Sequence, residues 1–207
     1  MTVKIKICGI TRVEDAVNAS KLGADALGFV FVENTPRYIS PSEASIIMNK
    51  IPPFVNKIGL FVNPQPKDVE NAKEICNFNL IQFHGDESPS FCEQFNLPYI
   101  KAISIKEGIN LLEYEDKYNT ASAFLLDTFS QKVRGGSGKT FDWNLIPKNL
   151  SKPIVVAGGL RKENLVELFK VITPYAVDVS SGVESGKGIK EYQMMKDFIL
   201  GVKNASL

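Results

Sequence analysis

Short apolar runs alternate with amphipathic stretches along the chain. The first run ends at Cys8 before Gly9, and the helical pattern after it has Thr11 as its candidate cap and Gly23 at its end. A second apolar run is followed by a helix that Ser40 and Pro41 open. Continued to the end, the pattern predicts eight strand-then-helix units, with strands in VKIKIC, ALGFVF, KIGLFV, LIQFH, YIKAIS, AFLLD, PIVVAG and AVDVSS. The sixth helix is predicted in WNLIPKN.

This order of elements predicts the fold class. Continuous apolar strands separated by helices indicate a parallel sheet covered on both faces, because right-handed crossovers place a helix over each strand pair. Eight uninterrupted units favour a closed α/β architecture, the (β/α)8 TIM barrel, as a single domain over residues 1–207. An open doubly wound sheet would carry a glycine-rich dinucleotide fingerprint at its first turn, and the sequence has none there.

Composition narrows the class of partner. The 207 residues include 24 Lys plus Arg and 23 Asp plus Glu, and the net charge of +1 gives no field that would attract nucleic acid or an acidic membrane. No basic segment precedes a short apolar run at the start, and no stretch of about 18 consecutive apolar residues occurs. We therefore expect a cytoplasmic protein with a small-molecule ligand, present as a monomer or homodimer.

The cysteines and the histidine argue against two kinds of site. The three cysteines, Cys8, Cys76 and Cys92, are odd in number and form no CxxC motif. One histidine, His84, leaves too few ligands for a His/Cys zinc cage. Cys76 and Cys92 are expected to pack between helix and barrel. Cys8 is then a packed side chain, a nucleophile or a base.

Reactive side chains collect where the predicted strands stop, which is where barrel enzymes carry out their chemistry. Cys8 ends the first strand and Asp127 the sixth, across the mouth of a closed ring. This placement suits an acid and a base that act on different atoms of one molecule. The alternative is that Asp127 caps a turn and Cys8 only packs. The other strand ends are Phe31, Asn63, His84, Ser104, Ala157–Gly159 and Ser180–Gly182.

The last two strand ends have the features of a phosphate site. Gly158, Gly159 and Gly182 permit close approach of a ligand to the backbone, and Ser181 lies beside them. A short helix after the eighth strand would direct its amino terminus at an anion. Two ordinary turns are the alternative. The loop FSQKVRGGSGKTFDW is long for this fold and is predicted to be a lid, and its glycine spacing differs from that of a nucleotide-binding P-loop.

Four further residues are candidates for the same end of the barrel. Arg37, placed by Pro36 in an extended loop, could pair with a carboxylate or lie exposed in solvent. His84 could bind substrate, orient a neighbour or complete a turn. Lys6 and Asp178 lie two residues before strand ends, so they point into the barrel and are expected to form a polar layer beneath the site.

Seven strings in this sequence, in order, resemble those of the phosphoribosylanthranilate isomerases of tryptophan biosynthesis. They are KICGIT, TPRYIS, IQFHGDE, LLDT, GGSGKTFDW, VAGGL and VDVSSGVE. The resemblance implies an Amadori rearrangement of N-(5'-phosphoribosyl)anthranilate to 1-(o-carboxyphenylamino)-1-deoxyribulose 5-phosphate, without metal or cofactor. It implies that Asp127 is the general acid and Cys8, as a thiolate, the general base.

The resemblance also assigns the binding residues. It implies that the phosphate lies on the amides of Gly158, Gly159, Ser181 and Gly182. It implies that Arg37 meets the anthranilate carboxylate or ring. His84 and Asp178 are further candidates for substrate binding. Rival functions are a metal-dependent sugar-phosphate epimerase, which would need more histidines, and an isomerase that also serves histidine biosynthesis, which would have aspartate in place of Cys8. A phosphate-binding module without catalysis is the third rival.

Overall fold

A closed barrel of eight parallel strands forms the centre of the protein. The computed structural model describes residues 2–106, 108–128 and 140–205. The strands pair in chain order and β8 closes onto β1. They are β1 (Lys4–Cys8), β2 (Ala26–Val30), β3 (Asn56–Phe61), β4 (Leu80–Phe83), β5 (Tyr99–Ile105), β6 (Ala123–Thr128), β7 (Ile154–Val156) and β8 (Ala176–Val179). The predicted (β/α)8 fold class is confirmed.

Helices cover the outside of this barrel. They are α1 (Val13–Leu22), α2 (Pro41–Met48), α3 (Pro66–Ile75), α4 (Pro89–Glu93), α5 (Leu111–Lys117), α6 (Leu165–Val171) and α7 (Tyr192–Ala205). Single 3-10 turns occupy Trp143–Leu145, Lys162–Asn164 and Ser181–Val183, and a small hairpin joins β9 (Glu184–Gly186) to β10 (Ile189–Lys190). No helix in the described ranges has the length and apolar character needed to span a membrane.

Local sequence signals account for several helix ends. Ser40 accepts the Glu43 backbone N–H while the Glu43 carboxylate accepts the Ser40 N–H, and Pro41 begins the helix, so α2 starts as predicted. Gly23 ends α1 in the left-handed conformation at φ 100°. The prediction that Thr11 caps α1 is wrong. Arg12 is the N-cap residue, and the Thr11 hydroxyl donates to the Gly188 carbonyl instead.

Two more predictions differ from the structure or lie outside it. Among the described residues after β6, the segment WNLIPKN forms only the 3-10 turn Trp143–Leu145, not an α-helix. Pro147 restricts the residue before it to extended backbone, and Ile146 has ψ 114°, so the turn cannot continue. The predicted lid falls almost wholly on residues 129–139, outside the described part of the chain.

The core has two layers, which fixes where polar side chains can lie. A large cluster between the sheet and the helices includes Ile81 and Phe83 of β4. A smaller cluster of mostly small apolar residues fills the barrel: Ile58, Ile100, Ala102, Ala123, Leu125, Val155, Ala157 and Ala176. Because side chains alternate along a strand, Gln82 lies on the inner side between Ile81 and Phe83. The buried polar residues on this inner side lie in the middle or the carboxyl-terminal half of their strands: Lys6, Gln82, Asp127 and Asp178.

Candidate active site

Cys8 is the last residue of β1 and lies against a buried ion pair. Lys6 and Asp178 are paired in register on β1 and β8, and Lys6 Nζ is 2.9 Å from Asp178 Oδ2. Their side chains are only 4% and 9% exposed. The predicted polar layer is therefore present, directly beneath Cys8. The Lys6 cation favours the thiolate form of Cys8 and so lowers the pKa of that thiol.

The surroundings of Cys8 shift its pKa in opposite directions. Burial raises the pKa of the Cys8 thiol more than the Lys6 cation lowers it, which opposes the thiolate form that the resemblance implies. The carboxylate of Asp178 raises that pKa further, because it offsets the charge of Lys6. Burial also raises the pKa of Cys76 to about 11 and that of Cys92 to about 12. Both of these thiols are buried, as predicted.

Asp127 lies near the end of β6 and is held by His84. His84 Nε2 is 3.2 Å from Asp127 Oδ2, and the Thr128 backbone N–H donates to Asp127 Oδ1 at 2.7 Å. The other nitrogen, His84 Nδ1, is 2.9 Å from Gln82 Nε2. Both His84 and Asp127 have side chains exposed by about a tenth or less. The side chains of Gln82, His84 and Asp127 therefore lie in a row that connects β4 to β6.

Gly158 leaves room for the Asp127 carboxylate. Its φ is 80°, which a residue with a side chain rarely adopts, and an added Cβ would lie 2.8 Å from Asp127 Oδ1. The same Cβ would also meet the Thr128 backbone nitrogen at 2.7 Å. The end of β7 is thus packed directly against the proposed acid.

The loop that carries His84 is anchored from outside the barrel. Lys101 of β5 is buried and donates to the Gly85 carbonyl at 2.6 Å and to Glu87 Oε2 at 2.8 Å. Glu87 in turn accepts the backbone N–H groups of Gly85 and Asn63. Sequence reasoning missed this pair. The signal for it was a lysine within the apolar run YIKAIS, since a buried ammonium needs an anion.

Arg37 is held by a carboxylate that the sequence reasoning did not single out. Its Nε and terminal nitrogen donate to the two oxygens of Glu184 at 2.8 and 2.7 Å. Lys190, which is buried, donates to Glu184 Oε1 at 2.7 Å. Burial raises the pKa of the Glu184 carboxyl, but Arg37 and Lys190 outweigh it, so the pKa is lowered. Arg37 also packs on Gly9, where a Cβ would lie 2.5 Å from its Cδ.

The two glycine-rich strand ends are in contact. The 3-10 turn Ser181–Val183 follows β8 as predicted, and a Cβ on Gly182 would overlap the Leu160 carbonyl of the segment after β7. Asn164 Nδ2 donates to the Gly159 carbonyl at 3.0 Å. The Ser180 hydroxyl donates to the Cys8 carbonyl at 3.0 Å, which joins this corner to the end of β1. Cys8 and the predicted phosphate-binding amides thus share one side of the mouth.

A cavity of about 250 Å³ opens on the acid side of the site. His84, Ser104 and Thr128 line it from the strand ends, together with Tyr114 of α5 and Tyr118, which directly follows α5. Neither Cys8 nor Arg37 lines it. Within the described ranges, no group of three or more His, Cys, Asp or Glu side chains is placed to hold a metal ion.

Comparison with known proteins decides the family. Residues 5–200 match the model of the family described as N-(5'phosphoribosyl)anthranilate (PRA) isomerase. The chain belongs to the phosphoribosylanthranilate isomerase family. A relative in Nitrosospira multiformis, named N-(5'-phosphoribosyl)anthranilate isomerase, is 50% identical over 202 residues, which are 98% of this chain and 97% of the relative.

Solved structures of family members have the same fold. The Thermotoga maritima phosphoribosyl anthranilate isomerase is 39% identical, with a TM-score of 0.90 over 98% of this chain and 100% of that one. A second isomerase structure was solved in complex with reduced 1-(o-carboxyphenylamino)-1-deoxyribulose 5-phosphate. It is 36% identical, with a TM-score of 0.87 and the same coverage.

Apart from Gly159, Ser181 and Gly182 at the glycine-rich strand ends, the predicted site residues form three groups. Cys8 lies with Lys6 and Asp178, and Asp127 lies with His84 and Gly158. Arg37 lies beside Gly9 but is paired with Glu184. The residues that sequence reasoning missed are Glu184, Lys190, Gln82, Lys101 and Glu87.

Proposed function

We propose that this chain converts N-(5'-phosphoribosyl)anthranilate to 1-(o-carboxyphenylamino)-1-deoxyribulose 5-phosphate in tryptophan biosynthesis. Family membership over residues 5–200 supports the reaction. The observation that carries the assignment of roles is the placement of two proton-transfer groups in the barrel mouth. Cys8 on β1 and the His84-bound Asp127 on β6 are separated in the closed ring by β7 and β8.

In this proposal Asp127 acts as the general acid. Its proton moves to the ring oxygen of the ribose as the bond from that oxygen to C1 breaks, and the electrons of the amine nitrogen form a C1=N Schiff base. Asp127 is left as a carboxylate, which accepts hydrogen bonds from His84 Nε2 and the Thr128 N–H. These two donors stabilise the charge that forms on the acid.

Cys8 acts as the general base on the Schiff base. The thiolate removes the C2 proton, the electrons of the C2–H bond form a C1=C2 double bond, and the electrons of the C1=N bond return to the nitrogen. The enolamine that results tautomerises to the ketone. Because burial raises the pKa of Cys8, the base depends on Lys6, whose cation opposes that effect. Asp178 holds the Lys6 ammonium in place, with 2.9 Å between Lys6 Nζ and Asp178 Oδ2. We propose that it supports catalysis through Lys6 rather than through the substrate alone.

The two ends of the substrate have separate places in this proposal. The phosphate is bound by the amides of Gly158, Gly159, Ser181 and Gly182, at a corner where two strand ends are in contact. Arg37 binds the anthranilate carboxylate. To do so, its guanidinium must give up one or both of its hydrogen bonds to Glu184 or share them with the substrate. Lys190 keeps a bond to Glu184 when Arg37 turns to the substrate.

A turnover assay tests the proposal. Freshly generated phosphoribosylanthranilate is added to the enzyme and the loss of its fluorescence is followed. Turnover by the parent chain, and its loss in Cys8→Ala, is the expected result. Added chelator should leave the rate unchanged, because proton transfers between the substrate and two side chains account for every atom that moves. Phosphate binding without turnover would favour the binding-module alternative.

The organisation of the chain is part of the same proposal. We treat residues 1–207 as one domain that acts as a monomer or homodimer. Light scattering coupled to gel filtration measures the mass of the particle, for which a single copy is 22.9 kDa. A higher assembly would contradict this proposal.

A further inference from the structure

Gln82 is a fully buried amide in the barrel interior that the proposed mechanism has not used. Its neighbours Ile81 and Phe83 belong to the outer apolar cluster. Its side chain has no exposed surface, and its Oε1 has no hydrogen-bond partner among the residues that the structure describes. Burying a polar group in this way costs free energy unless it is bonded. Among the described residues, the side-chain hydrogen bond of Gln82 joins its Nε2 to His84 Nδ1 at 2.9 Å.

We infer that Gln82 is a positioning residue that holds His84 in its neutral form with the proton on Nε2, so that the transferable proton resides on Asp127. The inference rests on the proposed function, in which Asp127 is the acid. An amide N–H that points at Nδ1 requires a lone pair there. The ring proton is then on Nε2, which faces Asp127 Oδ2 at 3.2 Å.

The opposite orientation of the amide is the competing arrangement, and bonding disfavours it. With Oε1 toward His84, the oxygen would accept a hydrogen bond from a protonated Nδ1. The NH2 group would then lie in the buried position that Oε1 now occupies, where no partner is present among the described residues. Unpaired buried N–H groups are rarer than under-satisfied carbonyls. The observed orientation therefore has the lower desolvation cost.

The tautomer of His84 determines whether the transferable proton is held by His84 or by Asp127. If both ring nitrogens could carry protons, the pair would exist as imidazolium and carboxylate, and Asp127 would have no proton to give. In an imidazolium, the Nδ1–H of His84 would face the N–H of Gln82, and two hydrogen-bond donors facing each other repel. The proton therefore stays on the carboxyl, and after transfer to the ring oxygen the His84 N–H remains to stabilise the carboxylate.

Other titratable residues lie near His84, and none of them should be substituted in a test of Gln82. The cavity it lines also holds Asp86, Lys106, Tyr114, Lys117 and Tyr118. The Lys101–Glu87 pair lies behind its loop. A useful variant changes Gln82 alone and leaves all of these in place.

Nitrogen-15 NMR of histidine-labelled protein tests the inference, because the chain has a single histidine. In the parent protein at about pH 7, Nδ1 should give the signal of an unprotonated nitrogen and Nε2 that of an N–H. A protonated Nδ1 in the parent would overturn the inference, whatever the activity. This measurement needs no turnover, so its failure is distinct from a failure of the proposed function.

Variants connect the tautomer to catalysis. Gln82→Glu replaces the donor by an acceptor, so Nδ1 should become protonated, and kcat should fall about tenfold or more with KM within about twofold. Gln82→Met removes the bond without adding charge and should give mixed tautomers and an intermediate kcat. Gln94→Glu, which adds the same charge at an exposed position, is the control and should change neither.

Folding is checked in each variant by circular dichroism, and only variants with the parent spectrum are compared. If Gln82→Glu protonates Nδ1 but kcat stays within twofold of the parent, Gln82 does not position the acid and the inference is wrong.

Discussion

Replacing Lys6 and replacing Asp178 are expected to change the reactivity of the Cys8 thiol in opposite directions. Asp178→Asn removes an anion that raises the pKa of Cys8, so the thiol should ionise more easily. Lys6→Met removes a cation that lowers that pKa, so the thiol should ionise less easily. At pH values below the pKa of Cys8, a lower pKa increases the thiolate fraction and a higher pKa decreases it. We therefore expect faster alkylation of Cys8 than in the parent for Asp178→Asn and slower alkylation for Lys6→Met.

Stability should fall in both single variants. The two charged atoms are 2.9 Å apart and their side chains are at most 9% exposed, so either change leaves an uncompensated buried charge. Such a loss costs about 3–5 kcal/mol in the free energy of unfolding. The double variant Lys6→Met/Asp178→Leu replaces the pair by apolar groups and should recover most of that loss. Urea unfolding followed by circular dichroism measures all three.

Iodoacetamide labelling of the native protein, analysed by peptide mass spectrometry across a pH series, gives the thiol reactivity. Cys76 and Cys92 serve as internal controls, because burial raises their pKa values to about 11 and about 12 and neither contacts the pair. If both single variants change the Cys8 rate in the same direction, local unfolding rather than charge controls the thiol. The electrostatic reasoning would then be refuted.

Four further substitutions test the proposed roles. Cys8→Ala and Asp127→Asn should each lower kcat by several orders of magnitude, roughly 10²–10⁴-fold, with little change in binding of a product analogue, since each removes one proton transfer; turnover within tenfold of the parent would contradict the role. Arg37→Ala should weaken substrate binding by roughly 1.5–3 kcal/mol, measured as KM, and Lys67→Ala on the exposed face of α3 is its control. Gly158→Ala should lower stability by about 1–2 kcal/mol, because φ is 80°, and also lower kcat by displacing Asp127. An unchanged kcat there would mean that the carboxylate tolerates the extra carbon.

The sequence by itself determined the fold class and most of the candidate site. Continuous apolar runs separated by helical periods require a covered parallel sheet, and parallel strands bring their carboxyl ends to one face. Cys8, Asp127 and the glycines after β7 and β8 could therefore be placed at one mouth without coordinates. The match of Lys6 with Asp178 followed from the same alternation, since both lie two residues before a strand end.

The tertiary structure alone decided which charges meet. Arg37 and Glu184 are 147 positions apart, and only closure of the ring brings β2 and β8 to either side of β1, so that their following loops meet. The buried Lys101 of β5 is paired with Glu87 on the loop after β4, and the Gln82 amide nitrogen lies against His84, because buried polar groups are stabilised by partners within hydrogen-bond distance. The pKa of Cys8 likewise depends on burial and on two charges from β1 and β8 together. Local patterns specify elements and their ends, whereas distances between loops arise only when the barrel closes.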